Sequence, residues 1–145
     1  MKKAVLASLS FALFLGDVAA GHAQSSPITE GVGTPYKDPV QRAAVHYGRG
    51  MKAKRKAENA KEPADQMKLY EKAKEELSKA VGYDPNFDAT LALGQVYLAL
   101  GKPESAISSC SRALALKPKN EQAQACVDEA EKVRQAAASA SASPS

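Results

Sequence analysis

The sequence has no tryptophan, three phenylalanines and five tyrosines, so aromatic residues make up only 6% of its 145 residues. A core without large aromatic side chains has to be filled by the small and aliphatic residues of closely packed helices. Hydrophobic residues still reach 44%, which suffices for one compact domain with flexible ends. The composition therefore predicts a single all-α domain.

Groups that could carry chemistry are equally scarce. Because His22 lies near the N-terminus, His46 is the one histidine expected in a folded domain. A metal centre or a Ser-His-Asp arrangement needs several convergent groups, and the sequence has no zinc-type spacing and no glycine-rich phosphate loop. Gly48 and Gly50 alone are too weak a signal for nucleotide binding. We expect no catalytic residues, no metal site and no cofactor.

Long hydrophobic runs are limited to one, over residues 4–16, which is shorter than the about 20 residues of a bilayer span. Two lysines precede this run and small residues follow it. This pattern predicts a secretory signal peptide over residues 1–23, cleaved after Ala23 or Ala20, a periplasmic or secreted protein and no transmembrane span. Asp17, just after the apolar run, leaves an uncleaved anchor as the alternative. Export and a net charge of only +4 argue against a nucleic-acid partner.

Proline, glycine and Asx residues divide the rest of the chain. Residues 24–38 mix Ser, Gly, Thr and Pro without a period, which predicts a disordered linker. Asp38-Pro39 and Asn120 are helix starts, whereas Gly82 and Gly101 are helix ends. The predicted helices span residues 39–59, 64–81, 87–100, 103–116 and 121–136, followed by a disordered tail over 137–145. Short connections between them predict antiparallel helix hairpins.

Residues 87–120 resemble the tetratricopeptide repeat (TPR), whose pattern is W-x2-L-G-x2-Y, then A-x3-F, then P. Thr90 stands in place of the tryptophan and Cys110 in place of the phenylalanine. Small residues at Gly94 and Ala106 would let the two helices approach closely. The residues that carry the resemblance and the repeat packing are Leu93, Gly94, Tyr97, Ala106, Cys110, Ala113 and Pro118.

Residues 39–86 resemble a second, irregular copy. Its closing half, from Tyr70 to Pro85, aligns with the regular repeat so that Pro85 falls on Pro118, while Tyr47-Gly48 would supply the opening half. Because Gly48 would then lie much farther from Ala73 than Gly94 lies from Ala106, the alignment implies an insertion, most of it within 52–65.

The resemblance also implies how the copies are arranged. We expect a domain over 39–136, a short right-handed array of stacked hairpins that ends in a capping helix over 121–136. The solvated face of that helix would carry Glu121, Gln122, Asp128, Glu129, Lys132 and Arg134.

Two repeats are fewer than the three usually needed for a continuous core, so another stabilising element is expected. Cys110 and Cys126, the only cysteines, lie on the last repeat helix and on the capping helix. In an oxidising compartment a disulfide between them would stabilise the fold by about 3 kcal/mol. Two separate buried thiols are the alternative, and the separation of the two Cα atoms decides between them.

In TPR arrays the first helix of each hairpin lines a concave groove, so the resemblance implies a protein or peptide ligand. Leucines there could hold apolar side chains of the ligand, and arginines could pair with its carboxylates. The residues implicated by alignment are Asp88, Leu91, Gln95, Leu98 and Ala99 in the regular repeat and Arg42, Val45, Arg49 and Lys52 in the irregular one. We expect a non-catalytic adaptor or scaffold of the cell envelope. The alternative is a structural component that forms homo-oligomers through its short array.

The basic run over residues 52–61 has two interpretations. Clustered cations attract acidic protein segments or anionic lipid head groups. The simpler interpretation is a solvated helix end whose lysines complement the helix dipole.

Overall fold

The computed structural model describes residues 38–141, which form five α-helices and, over that range, no strand. The helices are α1 (Pro39–Glu58), α2 (Pro63–Tyr83), α3 (Phe87–Ala99), α4 (Pro103–Leu116) and α5 (Glu121–Ser141). The predicted all-α class is thus confirmed. The predicted signal peptide, the predicted linker up to residue 37 and residues 142–145 of the predicted tail lie outside the described residues.

Local capping explains where the helices begin. The Asp38 carboxylate accepts a hydrogen bond from the Val40 backbone N–H at 2.9 Å, which confirms the predicted start of α1. Asn120 accepts from the Ala123 N–H at 3.0 Å at the start of α5. Asn86 accepts from the Ala89 N–H in the same geometry, also at 3.0 Å, at the start of α3. The two asparagines are separated by the length of one TPR repeat, about 34 residues, so α5 begins like the first helix of a further repeat.

Two helix ends differ from the sequence prediction by more than one residue. Gly101 has a φ of +65°, as expected for a glycine that terminates α3, but Gly82 lies inside α2. That helix continues to Tyr83 and ends because Asp84 is extended before Pro85. Helix α5 continues to Ser141, past its predicted end at residue 136, because its alanine-rich sequence favours helix and contains no glycine or proline.

The helices pack as two hairpins and one additional helix. Helices α1 and α2 form the first hairpin, α3 and α4 the second, and α5 packs on α4, while α2 contacts α3 between the hairpins. Helix α3 also contacts α1 and α5. It is the central helix, and eight of its thirteen residues are buried, as expected for a helix with apolar residues on nearly every side.

Two hydrophobic clusters form the core on either side of α3. The first, centred on the fully buried Leu77 and Val96, joins α1, α2 and α3. The second joins α3 to α4 and α5 around Phe87, Leu91 and Cys110. Cys110 and Cys126 lie at disulfide distance in this second cluster, with their Cα atoms 5.9 Å apart. The described structure therefore pairs the two cysteines rather than separating them.

Glycines set the closest approach within each hairpin. A methyl group at Gly94 would overlap the sulfur of Cys110 and lie 3.2 Å from its backbone nitrogen, so this glycine lets α3 approach α4. Ala106, one turn before Cys110, is fully buried, in agreement with the predicted repeat packing. In the first hairpin the corresponding glycine is Gly50, where a methyl group would lie 2.6 Å from Cγ of Leu77.

This contact corrects the alignment of the first repeat. Leu77 corresponds to Cys110 when Pro85 is aligned with Pro118, so the glycine that faces Leu77, Gly50, corresponds to Gly94. Gly48, the glycine expected from the sequence, is exposed and has open space beside it.

The correction also changes the length and place of the insertion. Because Gly50 lies two positions after Gly48, the insertion is two residues shorter than the sequence alignment implied. Compared with the second hairpin, α1 continues for three more residues after its contact glycine, and α2 begins seven residues earlier. At the rise of an α-helix these additions lengthen α1 by about 5 Å and α2 by about 10 Å at the tip of the hairpin. The added length therefore lies beyond the glycine contact and leaves the packing there intact.

Candidate functional site

A groove runs across α1, α3 and α5, the first helix of each hairpin and the additional helix. It encloses about 460 Å³, within the range of ligand-binding clefts. Its lining residues are Lys54 and Glu58 from α1, Tyr70 from α2, Gln95, Leu98 and Ala99 from α3, and Glu129 and Val133 from α5.

The groove combines an apolar floor with polar rims. Leu98 is half-buried, and Val133 keeps 39% of its surface exposed, so both can contact a ligand. Lys54 and Glu58 form an ion pair at 2.5 Å on the α1 rim. Glu129 on the α5 rim has no ion-pair or hydrogen-bond partner within residues 38–141. A ligand with an apolar side chain and a cation or N–H donor would complement this surface.

The groove continues along α5. A second depression of about 240 Å³ shares Gln95, Leu98 and Glu129 with the first and adds Gln122 and Ala125. Gln95 therefore lies in the middle of this surface and lines both depressions. Because an amide both donates and accepts hydrogen bonds, it suits the backbone of an extended peptide.

The predicted binding residues of the second repeat have different locations. Gln95, Leu98 and Ala99 line the groove, as expected. Leu91 does not, because it is only 6% exposed and packs in the second core cluster. Asp88 is exposed in the first turn of α3 but does not line the groove.

The predicted residues of α1 lie elsewhere because of the error in the alignment. Arg49 and Lys52 line a separate cleft between α1 and α2, together with Lys56 and Lys72. Arg42 is placed over the ring of Tyr83, 5.6 Å from its centroid, and Val45 is half-buried. The residues that α1 contributes to the groove are Lys54 and Glu58.

Sequence analysis also missed the contribution of α5, whose Glu129 was assigned to a solvated outer face. The asparagine caps of α3 and α5 define a shift of one repeat length, and this shift maps Gln95 onto Glu129 and Ala99 onto Val133. The repeat period was therefore sufficient to find these two groove residues. Tyr70, which begins the closing half of the irregular repeat, packs against the first core cluster and also reaches the groove.

His46 is held by neighbouring side chains. Its Nδ1 lies 2.8 Å from Oε2 of Glu76, and its ring stacks on Tyr83 with centroids 5.6 Å apart. The hydrogen bond from His46 lowers the pKa of Glu76, and Lys79 and Arg49 lower it further by charge attraction. These contacts give His46 a structural role in joining α1 to α2.

A second ion-pair group connects the two hairpins. The Glu71 carboxylate on α2 accepts hydrogen bonds from Lys74 and, at 3.0 Å, from Lys102 in the turn before α4. These two hydrogen bonds lower the pKa of Glu71. Over residues 38–141 no group of three or more His, Cys, Asp or Glu side chains is placed to hold a metal ion. Within the same range, no helix is long and apolar enough to cross a membrane.

Comparison with known proteins identifies the repeat. Residues 66–129 match the sequence model of a family described as tetratricopeptide repeat. The match begins in α2, includes the whole second hairpin and ends in α5, so it contains the α3 wall of the groove and Glu129 of the α5 wall. No curated protein matches the chain. The resemblance of residues 87–120 to the tetratricopeptide repeat is thereby confirmed.

Proposed function

We propose, from the match of residues 66–129 to the tetratricopeptide repeat family, that this protein is a non-catalytic adaptor that binds a peptide segment of a partner protein in its groove. TPR repeats generally mediate protein–protein interaction, which supports this class of function. The observation that carries the proposal is the position of Gln95, Leu98 and Val133 on one concave surface formed by α3 and α5.

The chemistry of the groove favours a particular ligand. Leu98 and Val133 offer apolar contact, and Gln95 offers hydrogen bonds to a peptide backbone. Glu129 adds one negative charge that no described residue neutralises, whereas Glu58 is paired with Lys54. The ligand proposed is therefore a short segment with an apolar residue next to a lysine or arginine.

The proposed location is the cell envelope or the exterior. It rests on the basic, apolar and small-residue pattern of residues 1–23 and on the two cysteines, which form disulfides in oxidising compartments. Fractionation of cells that express the full chain, with N-terminal sequencing of the recovered protein, tests this location. Recovery in the cytoplasm with an intact N-terminus would contradict it.

A peptide-display selection tests the groove. Peptides selected on the full chain should contain an apolar residue next to a basic one, and their affinities are measured by fluorescence anisotropy. Val133→Asp should weaken binding about tenfold, because it places a charge on the apolar floor. Val40→Asp is the matched control, since Val40 is a 57% exposed valine of α1 outside the groove.

Equal affinity of both variants for the selected peptides would contradict the proposal. Light scattering of the same samples separates adaptor from assembly component. A monomer at all concentrations is expected for an adaptor, and a concentration-dependent oligomer that Val133→Asp disrupts would instead favour homo-oligomerisation through the groove.

A further inference from the structure

The separate cleft between α1 and α2, here called the basic cleft, encloses about 470 Å³. One stripe of each helix forms its walls. Arg49, Lys52 and Lys56 follow one another at spacings of three and four residues on α1, and Leu69, Lys72 and Glu76 do so on α2. Because the helices are antiparallel, Lys52 lies across from Lys72 and Arg49 lies near Glu76.

Three of the four cations of the basic cleft lack counterions. On the same two helices, Lys54, Lys68, Lys74 and Lys79 each pair with a carboxylate. Lys52, Lys56 and Lys72 form no ion pair or hydrogen bond within residues 38–141. Glu76, the one acid in the lining, accepts from His46 at 2.8 Å and lies 3.6 Å from Lys79. The cleft thus keeps a net positive charge.

Within residues 38–141 no helix packs on this exposed face of α1. With Gly50 aligned to Gly94, Arg49, Lys52 and Lys56 correspond to Leu93, Val96 and Leu100 of the second repeat. Those three residues are buried against the first hairpin, at 7%, 0% and 7% exposure. Helix α3 uses these positions to pack on the first hairpin, whereas α1 carries three cations there. Because like charges repel, a second copy of this protein cannot stack on this face of α1 by apolar contact.

An exposed helix face can stay in solution without carrying a single sign of charge. Helix α5, the last of the described helices, has a mixture of both signs on its exposed surface, including Asp128, Glu129, Lys132 and Arg134. A mixed surface keeps that face in solution. The net positive charge of the basic cleft, combined with its concave shape, therefore indicates an anionic ligand.

We propose that the basic cleft binds an acidic peptide segment of a partner protein, at a site separate from the groove. The planar guanidinium of Arg49 suits a carboxylate, Lys52 and Lys72 supply charge from both walls, and Leu69 offers apolar contact between them. The four cations of the cleft are exposed, so an anionic ligand reaches them directly from solvent, and the experiment below separates an acidic peptide from anionic lipid. An extended acidic chain can enter the cleft.

Fluorescence anisotropy with the full chain tests this site. The probe is a fluorescein-labelled octapeptide, Glu-Glu-Leu-Glu-Glu-Leu-Glu-Glu, and its control has glutamine at every glutamate. The double variant Lys52→Gln, Lys72→Gln should weaken binding of the acidic probe about tenfold. The matched variant Lys61→Gln, Lys132→Gln removes the same charge at two exposed lysines outside the cleft that also form no ion pair within residues 38–141, and we expect less than about a twofold change.

Circular dichroism confirms that both variants fold, and Val133→Asp, which alters only the groove, should bind the acidic probe like the wild type. Equal losses in the two lysine variants would overturn the proposal, because they would indicate general charge attraction. Equal binding of the glutamine probe would overturn it too. Stronger binding to phosphatidylglycerol vesicles than to the acidic probe, with dependence on Lys52 and Lys72, would assign the cleft to lipid instead.

Discussion

The two hairpins of this protein share an interior contact and differ in length. In each, a glycine of the first helix faces the corresponding residue of the second, Gly50 facing Leu77 and Gly94 facing Cys110. The second hairpin has helices of 13 and 14 residues, and the first has helices of 20 and 21. Close packing at the glycine therefore sets the distance between the two helices of each hairpin. The tip of the hairpin lies outside this contact, so its length and charge can differ between the two hairpins.

The groove and the basic cleft also differ, in charge rather than in size. The groove and the basic cleft have nearly equal volumes, about 460 and 470 Å³, so size does not distinguish them. The groove has an apolar floor and an unpaired Glu129, whereas the cleft has unpaired lysines. We infer that the protein can hold two segments of opposite charge, one on the regular repeat and one on the extended hairpin.

Reduction of the cysteine pair should have the largest effect on stability. Within residues 38–141 the pair joins α4 of the second hairpin to α5, and the first hairpin has no such link. The pair spans 16 residues, and its loss should lower the free energy of unfolding by about 3 kcal/mol. Urea unfolding with and without dithiothreitol measures this. An unchanged midpoint, together with two free thiols in the untreated protein, would show that the cysteines are not bridged.

Alanine substitutions of three glycines test the corrected alignment. Gly94→Ala should destabilise the protein by about 2 kcal/mol, because its methyl group meets the sulfur and backbone of Cys110, which cannot easily move. Gly50→Ala should destabilise it by a similar amount, about 1–2 kcal/mol, because its methyl group meets Cγ and the backbone nitrogen of the fully buried Leu77.

Gly48→Ala is the control for this series. Its methyl group has open space, so the higher helix propensity of alanine should raise stability by about 0.5–1 kcal/mol. Urea unfolding followed by circular dichroism ranks the three variants. Destabilisation by Gly48→Ala with no effect of Gly50→Ala would restore the alignment expected from the sequence.

The smallest effect concerns the His46–Glu76 contact in the first hairpin. Because the folded state lowers the pKa of Glu76 below its ordinary value of 4.5, the contact stabilises the fold above that pH. This stabilisation is lost as the pH falls through the lower pKa of the folded state. Glu76→Gln should remove less than about 1 kcal/mol at pH 6 and leave a smaller loss of stability on acidification to pH 3.

Urea unfolding at both pH values measures this difference, with Glu75→Gln as the control for a neighbouring exposed carboxylate. If Glu76→Gln and the wild type lose stability equally between pH 6 and pH 3, the contact does not contribute to folding.

Local signals in the sequence predicted most of the fold. Pro39, Pro103 and Asn120 mark helix starts that can be read without tertiary information. The alignment of α1 could not be obtained in this way, because Gly48 and Gly50 are equally small and only the contact with Leu77 distinguishes them. That one choice moved Arg49 and Lys52 from the predicted groove to the basic cleft.

The candidate sites depend more strongly on tertiary structure. Lys72 belongs to the cleft only because α2 folds back along α1, and its position in the sequence gives no sign of this. Leu91 has the spacing expected of a groove residue, yet the approach of α4 and α5 buries it. Glu129 and Val133 could be found from the repeat period once α5 is treated as a further first helix.

The most direct test of the central claim is to map where a selected peptide contacts the full chain by amide chemical-shift changes in isotope-labelled protein. We predict that the largest changes occur at Gln95, Leu98, Glu129 and Val133, on the surface shared by α3 and α5. Changes concentrated on the exposed faces of α2 and α4, with the groove residues unaffected, would contradict the proposed function.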